Sequence, residues 1–230
     1  MPAPRFTENM SLDHTSLSHR LPKYVYVHCD VDPNAAPLLP AAPLTMERFL
    51  TFRSAIAFAR RTHDGQRRAS GSDFVSHPLA VLQILLSTSS SLPHNAYVAG
   101  LLHDTLEDGK TSRQDLRDTF GREVEEAVAA LTRPKAGGKA HDLENERIYL
   151  EQLVQANERY PYVLLIKLAD RLHNMETAQF LPPDRRKILF ANTLTLYLPV
   201  FYAEEPRQTR FLEPYRTLRS MVETSTANQI

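Results

Sequence analysis

The segment from Leu101 to Asp108 contains four side chains that could bind a metal ion or move a proton: His103, Asp104, Glu107 and Asp108. At about 100° per residue, a helix over this segment would place all four within an arc of roughly 140°. The remaining residues are mostly apolar, and buried carboxylates are costly unless a metal ion, a cation or hydrogen-bond donors compensate them. The segment therefore predicts a buried helix with one metal-binding face, against the alternative of solvated acids beside a single histidine.

Two other segments could supply further ligands. His77 precedes Pro78, which suits the first turn of a helix, so His77 is predicted at a helix start, although such a residue is more often a cap. Asp170 lies among apolar residues that repeat with the spacing of a core stripe, namely Leu165, Leu168, Leu172 and Met175. Two histidines and two aspartates from three segments suit a first-row ion such as Mn²⁺ or Fe²⁺. This set indicates a divalent-metal phosphohydrolase.

Two basic segments could bind phosphate. The first is a glycine-containing segment that follows a predicted helix, and it brings four arginines close in the chain to His77: Arg60, Arg61, Arg67 and Arg68. Guanidinium groups bind phosphate oxygens in pairs, but a solvated basic turn is the simpler interpretation of this segment alone. The second, residues 133–141, has three cations and two adjacent glycines. It could close over phosphates or serve only as a solvated connector.

Together these motifs resemble the hydrolase domain of the RelA/SpoT alarmone enzymes. The resemblance spans about residues 45 to 200, in the order of that family, and because no synthetase half follows it is strongest to the stand-alone small alarmone hydrolases. The run from Lys167 to Met175 is its most specific part. The motifs are His63-x-Gly65-Gln66 through Ser70-Gly71, Phe74-x-x-His77-Pro78, Leu102 to Asp108, and Lys167-Leu168-Ala169-Asp170-Arg171-Leu172-His173-Asn174-Met175.

The resemblance implies an all-α HD-domain helical bundle that removes the 3′-pyrophosphate from guanosine tetra- and pentaphosphate with one Mn²⁺ ion. It assigns the metal ligands to His77, His103, Asp104 and Asp170, and the catalytic acids to Glu107 and Asp108. It places the substrate-binding residues at Arg68, Phe74, Asn174 and Thr177, with Lys167 as a helper that binds substrate or pairs with an acid.

Three departures from the family pattern lie near the expected nucleotide pocket. Ala69 replaces a usual lysine, Phe74 a usual tyrosine, and Gly109 a frequent threonine. None of them is a metal ligand, so hydrolysis stays the leading hypothesis while the base preference stays open. The alternatives are an HD-type phosphohydrolase of adenine alarmones or other 3′-phosphorylated nucleotides, and a catalytically silent nucleotide-binding regulator.

Composition limits the partners. The chain has 27 Lys and Arg against 27 Asp and Glu, so no net field favours nucleic acid. Cys29 is the single cysteine, which excludes a thiolate zinc site, and no apolar run approaches the ~20 residues of a membrane span. We expect a cytoplasmic protein whose partner is a small nucleotide, without nucleic acid or membrane. A homo-oligomer or a functional pairing with an alarmone synthetase is also expected.

Residues 1–44 hold seven of the 16 prolines and predict an extended or partly disordered arm. Residues 45–203 should form the HD hydrolase domain, and residues 204–230 a C-terminal extension with one helix. Gly121 is expected to separate two short helices, and Thr111 with Gln114 to form a capping box. The predicted helices cover residues 45–62, 78–88, 94–108, 112–119, 122–132, 143–158, 161–178 and 184–201.

Overall fold

A computed structural model describes residues 45–88, 92–107, 110–134, 143–204 and 212–227. These residues form α-helices and no strands, which confirms the prediction of an all-α fold. The helices are α1 (Met46–Thr62), α2 (Ser76–Thr88), α3 (His94–Leu102), α4 (Arg113–Phe120), α5 (Arg122–Leu131), α6 (Leu143–Arg159), α7 (Val163–Glu176), α8 (Pro183–Asn192), α9 (Leu198–Glu204) and α10 (Leu212–Ala227).

Helices α3 and α7 form the centre of the bundle. Every residue from Val163 to Leu172 in α7 is buried, and so is every residue from Ala96 to Leu102 in α3. Helix α3 packs against α1, α2, α5 and α7, while α7 packs against α2, α3, α5, α6 and α10. Polar side chains on these two helices are therefore held inside the protein, where they need partners.

The short helices α4 and α5 begin where local hydrogen bonds start them. Ser112 caps α4, with reciprocal hydrogen bonds to Asp115, so the capping box lies one residue after the predicted Thr111 and Gln114. Ser112 adopts the extended conformation that a capping residue requires, and its hydroxyl accepts the Asp115 N–H. Gly121 separates the two helices at φ 86°, as predicted, in a conformation that glycine adopts at little cost.

The helix predicted over 94–108 is wrong in its second half, because α3 ends at Leu102. The Thr105 hydroxyl and the Thr105 N–H both donate to the Leu102 carbonyl, and the His103 ring contacts the Gly100 carbonyl. Such local side-chain bonds compete with the helical ladder. Residues 103–107 consequently form consecutive turns, so a shared helix face is not what brings His103 and Asp104 together.

Two other helix boundaries differ from the predicted ones. Helix α2 begins at Ser76 rather than at Pro78, so His77 lies inside its first turn. The single helix predicted over 184–201 is divided into α8, a π-helical turn at Thr193–Tyr197, and α9. Pro199 cannot donate a backbone hydrogen bond and its ring crowds the carbonyl four residues earlier, so the helix changes its hydrogen-bond register there.

The C-terminal part of the described chain returns to the bundle. Helix α10 packs against α7 and buries Tyr215, Leu218 and Val222. Within the described ranges, no helix is both long enough and apolar enough to cross a membrane. The predicted arm, residues 1–44, lies outside the described residues, as do residues 135–141 of the second basic segment.

Candidate metal centre

Four polar side chains from three parts of the chain converge between α2, α3 and α7. His77 comes from the first turn of α2, His103 caps the end of α3, Asp104 follows it, and Asp170 lies in the middle of α7. The His77 Nε2 atom lies 3.1 Å from Asp170 Oδ1 and 3.4 Å from Asp104 Oδ2. The His103 Nε2 atom lies 3.1 Å from Asp104 Oδ1 and 3.2 Å from His77 Nε2.

The burial of these groups is nearly complete. The side chains of His77, His103 and Asp170 are 1%, 2% and 6% exposed, and that of Asp104 is 18% exposed. One ligand atom from each of His77, His103 and Asp170 lies within 4.8 Å of the others. Asp104 is the most open of the four, so a small ligand would approach the cluster from its side.

Two hydrogen bonds, from Lys167 and from Asn174, hold the Asp170 carboxylate in one orientation. Lys167 Nζ donates to Oδ2 at 2.7 Å, and Asn174 Nδ2 donates to Oδ1 at 2.6 Å. Oδ1 is also the oxygen that faces His77. The pairing of Lys167 with an acid is one of the two roles expected for it, and it leaves Oδ1 directed toward the imidazoles.

The electrostatics of the cluster follow from this packing. Burial lowers the pKa of His103, but Asp104 and Asp170 raise it more, to about 9. Burial raises the pKa of Asp104, yet His103 and His77 hold it below its usual range. For Asp170, the ammonium of Lys167 and the two histidines outweigh burial and keep the pKa well below the ordinary value. A proton on His103 thus offsets the carboxylates, and a bound cation would take over that role.

The donor set fits a divalent metal ion. The two imidazole Nε2 atoms lie 3.2 Å apart. Each lies 3.1 to 3.8 Å from Asp170 Oδ1 and from one oxygen of Asp104, which is Oδ2 for His77 and Oδ1 for His103. Ligand bonds of about 2.0–2.2 Å to one ion require neighbouring donors to be roughly 3 Å apart. His103 Nδ1 lies 2.8 Å from the Gly100 carbonyl, which only accepts, so Nδ1 carries hydrogen and Nε2 can bind an ion.

The two predicted catalytic acids differ in what the structure describes. Glu107 lies exposed at the rim of the cluster, where partial desolvation and the nearby Asp104 raise its pKa against the opposing effects of Lys167 and Arg133. Asp108 lies outside the described residues. The Glu107 carboxyl therefore holds a proton more readily than an ordinary glutamate does.

The predicted substrate residues gather next to the cluster. Arg68 donates to Asn174 Oδ1 at 3.0 Å and to Thr177 Oγ1 at 3.2 Å. Its guanidinium carbon lies 5.7 Å from the centre of the Phe74 ring, which in turn lies 6.1 Å from the ring of His77. Because Asn174 also contacts Asp170, these polar side chains connect directly to the candidate metal ligands.

A mostly buried network of charges and aromatic rings lies next to Lys167, the partner of Asp170. Lys167 and Arg133 both face the Tyr149 ring, at 5.1 and 5.4 Å from its centre. Arg171 stacks 3.7 Å from the centre of the Tyr197 ring, whose hydroxyl donates to Glu146. These contacts stabilise the cations of Lys167 and Arg171, which are buried, and that of Arg133, whose side chain is 37% exposed. Arg171, the residue after Asp170, belongs to this network.

One residue of the site was missed by the sequence analysis. His173 Nδ1 lies 2.7 Å from His77 Nδ1, and the two rings are 4.9 Å apart. Burial, His77 and Arg68 lower the pKa of His173 to about 3. Its spacing of three residues from Asp170 on α7 was the available signal, since residues three apart share a helix face.

The helical bundle and the cluster of two histidines and two aspartates at its centre are typical of helical proteins that bind a divalent metal ion. Within that class, this chain belongs to the HD domain family, whose model matches residues 55–204. The family resemblance predicted from the motifs is confirmed.

Curated relatives extend the comparison. The chain is 34% identical over 157 residues to the bifunctional (p)ppGpp synthase/hydrolase SpoT of Escherichia coli (strain K12), covering 68% of this chain and 22% of that protein. It is 37% identical over 142 residues to a guanosine-3′,5′-bis(diphosphate) 3′-pyrophosphohydrolase of Haemophilus influenzae, covering 62% and 21%. It is 39% identical over 150 residues to the GTP pyrophosphokinase rsh of Brucella ovis, covering 64% and 19%. The chain thus spans about a fifth of the length of these relatives.

A solved structure has the same fold. It is described as a metazoan ortholog of SpoT that hydrolyzes ppGpp and plays a role in starvation responses. The TM-score is 0.63 at 23% sequence identity, and the match covers 80% of this chain and 98% of that one. This similarity supports the arrangement of the helices.

Proposed function

We propose that this protein hydrolyses the 3′-pyrophosphate of guanosine tetra- or pentaphosphate, giving GDP or GTP and pyrophosphate. The observation that carries the proposal is the convergence of His77, His103, Asp104 and Asp170. Arg68 lies next to them through its hydrogen bond to Asn174. Membership of the HD domain family and relatives named as 3′-pyrophosphohydrolases support it.

The proposal includes one Mn²⁺ ion, held by His77, His103, Asp104 and Asp170. A mixed nitrogen and oxygen donor set without thiolate favours such a first-row ion. A divalent ion in this position supplies Lewis acidity toward a phosphoryl oxygen and makes water more acidic. The remaining chemistry depends on the protein's own side chains.

Those side chains have separable tasks. Lys167 and Asn174 orient Asp170 through its two oxygens, and the Gly100 carbonyl orients His103. We infer that Glu107, whose pKa is raised, exchanges a proton either with the attacking water or with the leaving ribose 3′-oxygen. In this proposal Glu107 and Asp108 share the two proton transfers, as the family resemblance implies.

Arg68 and its neighbours would hold the nucleotide. The guanidinium, directed by Asn174 and Thr177, can stack on a base or pair with a phosphate, and Phe74 offers an apolar ring beside it. The replacements at Ala69 and Phe74 remove a cation and a hydroxyl near this pocket. For that reason an adenine alarmone, or another 3′-phosphorylated nucleotide, is the second candidate substrate.

The same proposal includes a cytoplasmic location and a functional pairing with an alarmone synthetase, because a hydrolase of this kind needs a reaction that supplies its substrate. Formation of a homo-oligomer is a further part of it. Size-exclusion chromatography with light scattering would measure the oligomeric state directly.

A substrate panel tests the proposal. Guanine and adenine alarmones and ordinary nucleotides would be incubated with Mn²⁺ or with a chelator, and the products identified by anion exchange and phosphorus NMR. Pyrophosphate released from guanosine tetraphosphate only with Mn²⁺ is the expected result. Release of phosphate, or preference for other nucleotides, would favour a broader nucleotidase, and binding without turnover would favour a silent regulator.

Two variants separate metal binding from chemistry. His103→Ala should lose both metal and turnover, because it removes one imidazole ligand. Asp108→Asn should keep the metal and lose turnover, because it removes only a proton carrier. Metal content measured by elemental analysis beside the activity distinguishes the two, and normal activity in either variant would contradict the proposed roles.

A further inference from the structure

The two ligand histidines differ in the partner that each has for its second ring nitrogen. His103 Nδ1 lies 2.8 Å from the Gly100 carbonyl, which can only accept a hydrogen. His77 Nδ1 lies 2.7 Å from His173 Nδ1, an atom that can accept or donate. At this separation the two nitrogens share one hydrogen bond, and the hydrogen can be bonded covalently to either ring.

Only one of these two arrangements lets His77 bind a cation. If His77 Nδ1 donates to His173, then the neutral His77 ring has its lone pair on Nε2, the atom 3.1 Å from Asp170 Oδ1 and 3.2 Å from His103 Nε2. If His173 donates instead, His77 carries its hydrogen on Nε2 and donates it to a carboxylate. When His77 donates, its Nε2 lone pair is available to a metal ion. When His173 donates, that lone pair is replaced by a hydrogen and His77 cannot bind the ion.

We propose that His173 is a positioning residue that accepts the Nδ1 hydrogen of His77 and thereby sets the tautomer in which His77 binds the metal ion. This inference rests on the metal site of the proposed function. It adds that α7 contributes twice to the centre, once through Asp170 as a ligand and once through His173 as the partner of a ligand from α2.

His173 contacts both His77 and the candidate nucleotide pocket. The two imidazole rings are inclined by 30° with their centres 4.9 Å apart. The backbone carbonyl of His173 accepts the Thr177 hydroxyl at 3.0 Å, and Thr177 in turn accepts from Arg68. The candidate nucleotide pocket is therefore bonded to the same residue that would fix the tautomer of His77.

Three proteins test this role: the unchanged chain, His173→Leu and His173→Asn. Leucine fills similar space and cannot accept a hydrogen bond, whereas the asparagine Oδ1 falls near the position of the histidine Nδ1 and can accept one. Titration calorimetry would measure the affinity for Mn²⁺ alone, without nucleotide. We expect the leucine variant to bind Mn²⁺ about 10–100-fold more weakly and the asparagine variant to bind within about threefold of the unchanged chain.

A spectroscopic measurement makes the test independent of any variant. Long-range nitrogen–proton NMR of the Zn²⁺-loaded unchanged chain reports which ring nitrogen of His77 carries hydrogen. Hydrogen on Nδ1 is expected. Circular dichroism and thermal unfolding in chelator serve as controls for folding of both variants.

The outcomes distinguish the inference from the proposed function. A folded His173→Leu variant with unchanged Mn²⁺ affinity, or equal weakening by leucine and asparagine, would overturn the role of His173 while leaving the metal site intact. Hydrogen on Nε2 of His77 in the loaded protein would overturn both the role of His173 and the assignment of His77 as a ligand. Absence of Mn²⁺ and Zn²⁺ binding by the unchanged chain would overturn the metal site itself, and the inference with it.

Discussion

Replacing Lys167 by methionine tests how much of the bundle's stability depends on compensating the buried Asp170. Methionine keeps an apolar side chain of similar length and removes the ammonium, which lies 2.7 Å from Asp170 Oδ2 and 5.1 Å from the centre of the Tyr149 ring. At an effective dielectric constant of about 20, that attraction is about 6 kcal/mol before desolvation is subtracted. Breaking a buried pair typically costs about 3–5 kcal/mol, and Asn174 still supports the carboxylate, so we expect a loss of about 2–4 kcal/mol.

Urea unfolding in chelator, and again with saturating Mn²⁺, would measure this loss. The deficit should be smaller with Mn²⁺, because a bound cation replaces part of the missing positive charge. Lys187→Met, at an exposed position on α8, is the matched control and should change stability by less than about 0.5 kcal/mol. The double variant Lys167→Met with Asp170→Asn should recover part of the loss. A deficit below about 0.5 kcal/mol for Lys167→Met in chelator would refute this reasoning.

Three other changes have defined outcomes. Arg68→Ala should raise KM for the alarmone about tenfold with little change in kcat, since it removes binding common to ground and transition states; an unchanged KM would exclude that role. Glu125→Gln, at a fully buried carboxylate that accepts from two arginines, should lose about 1–3 kcal/mol at about pH 7 in urea unfolding. Burial raises the pKa of Glu125, but Arg117 and Arg113 lower it more, so its stabilisation is present above the unfolded carboxyl pKa and is lost as the pH falls through the folded value. The difference in free energy of unfolding between the unchanged chain and Glu125→Gln should therefore become smaller as the pH is lowered. A difference that does not change with pH would show that Glu125 is not ionised in the folded protein. Gly100→Ala places a Cβ 2.6 Å from Leu85 Cδ1 and should lower the free energy of unfolding by about 1–2 kcal/mol, measured by thermal unfolding. An unchanged free energy of unfolding would show that Leu85 moves aside without cost.

The helical class and the residues near the site could be predicted because they depend on local patterns. The apolar stripe of α7 follows the helical period, and all four of its predicted residues are buried. His77, His103, Asp104 and Asp170 were singled out because acids and imidazoles in apolar surroundings need compensation. The structure brings these four together, although their role as ligands stays a prediction.

The turn after Leu102 could not be predicted from periodicity. The acids at 104 and 107 have helical spacing, but the Thr105 hydroxyl takes the Leu102 carbonyl, and this local competition depends on side-chain geometry that a pattern does not record. The pairing of His173 with His77 was missed for a different reason. It joins α7 to α2 through tertiary packing, and single-chain patterns indicate the faces of helices but not which faces meet.

The separation of the cluster along the chain has a consequence for how the protein matures. His77 and His173 are 96 residues apart, and their rings meet only when α7 has packed against α2. During synthesis, the earlier imidazoles therefore leave the ribosome long before the later aspartate does. In the proposed metal site, loading of the ion requires α2 and α7 to have packed together, and a mutation that slows the docking of α7 would delay acquisition of the ion even if it left the finished centre unaltered.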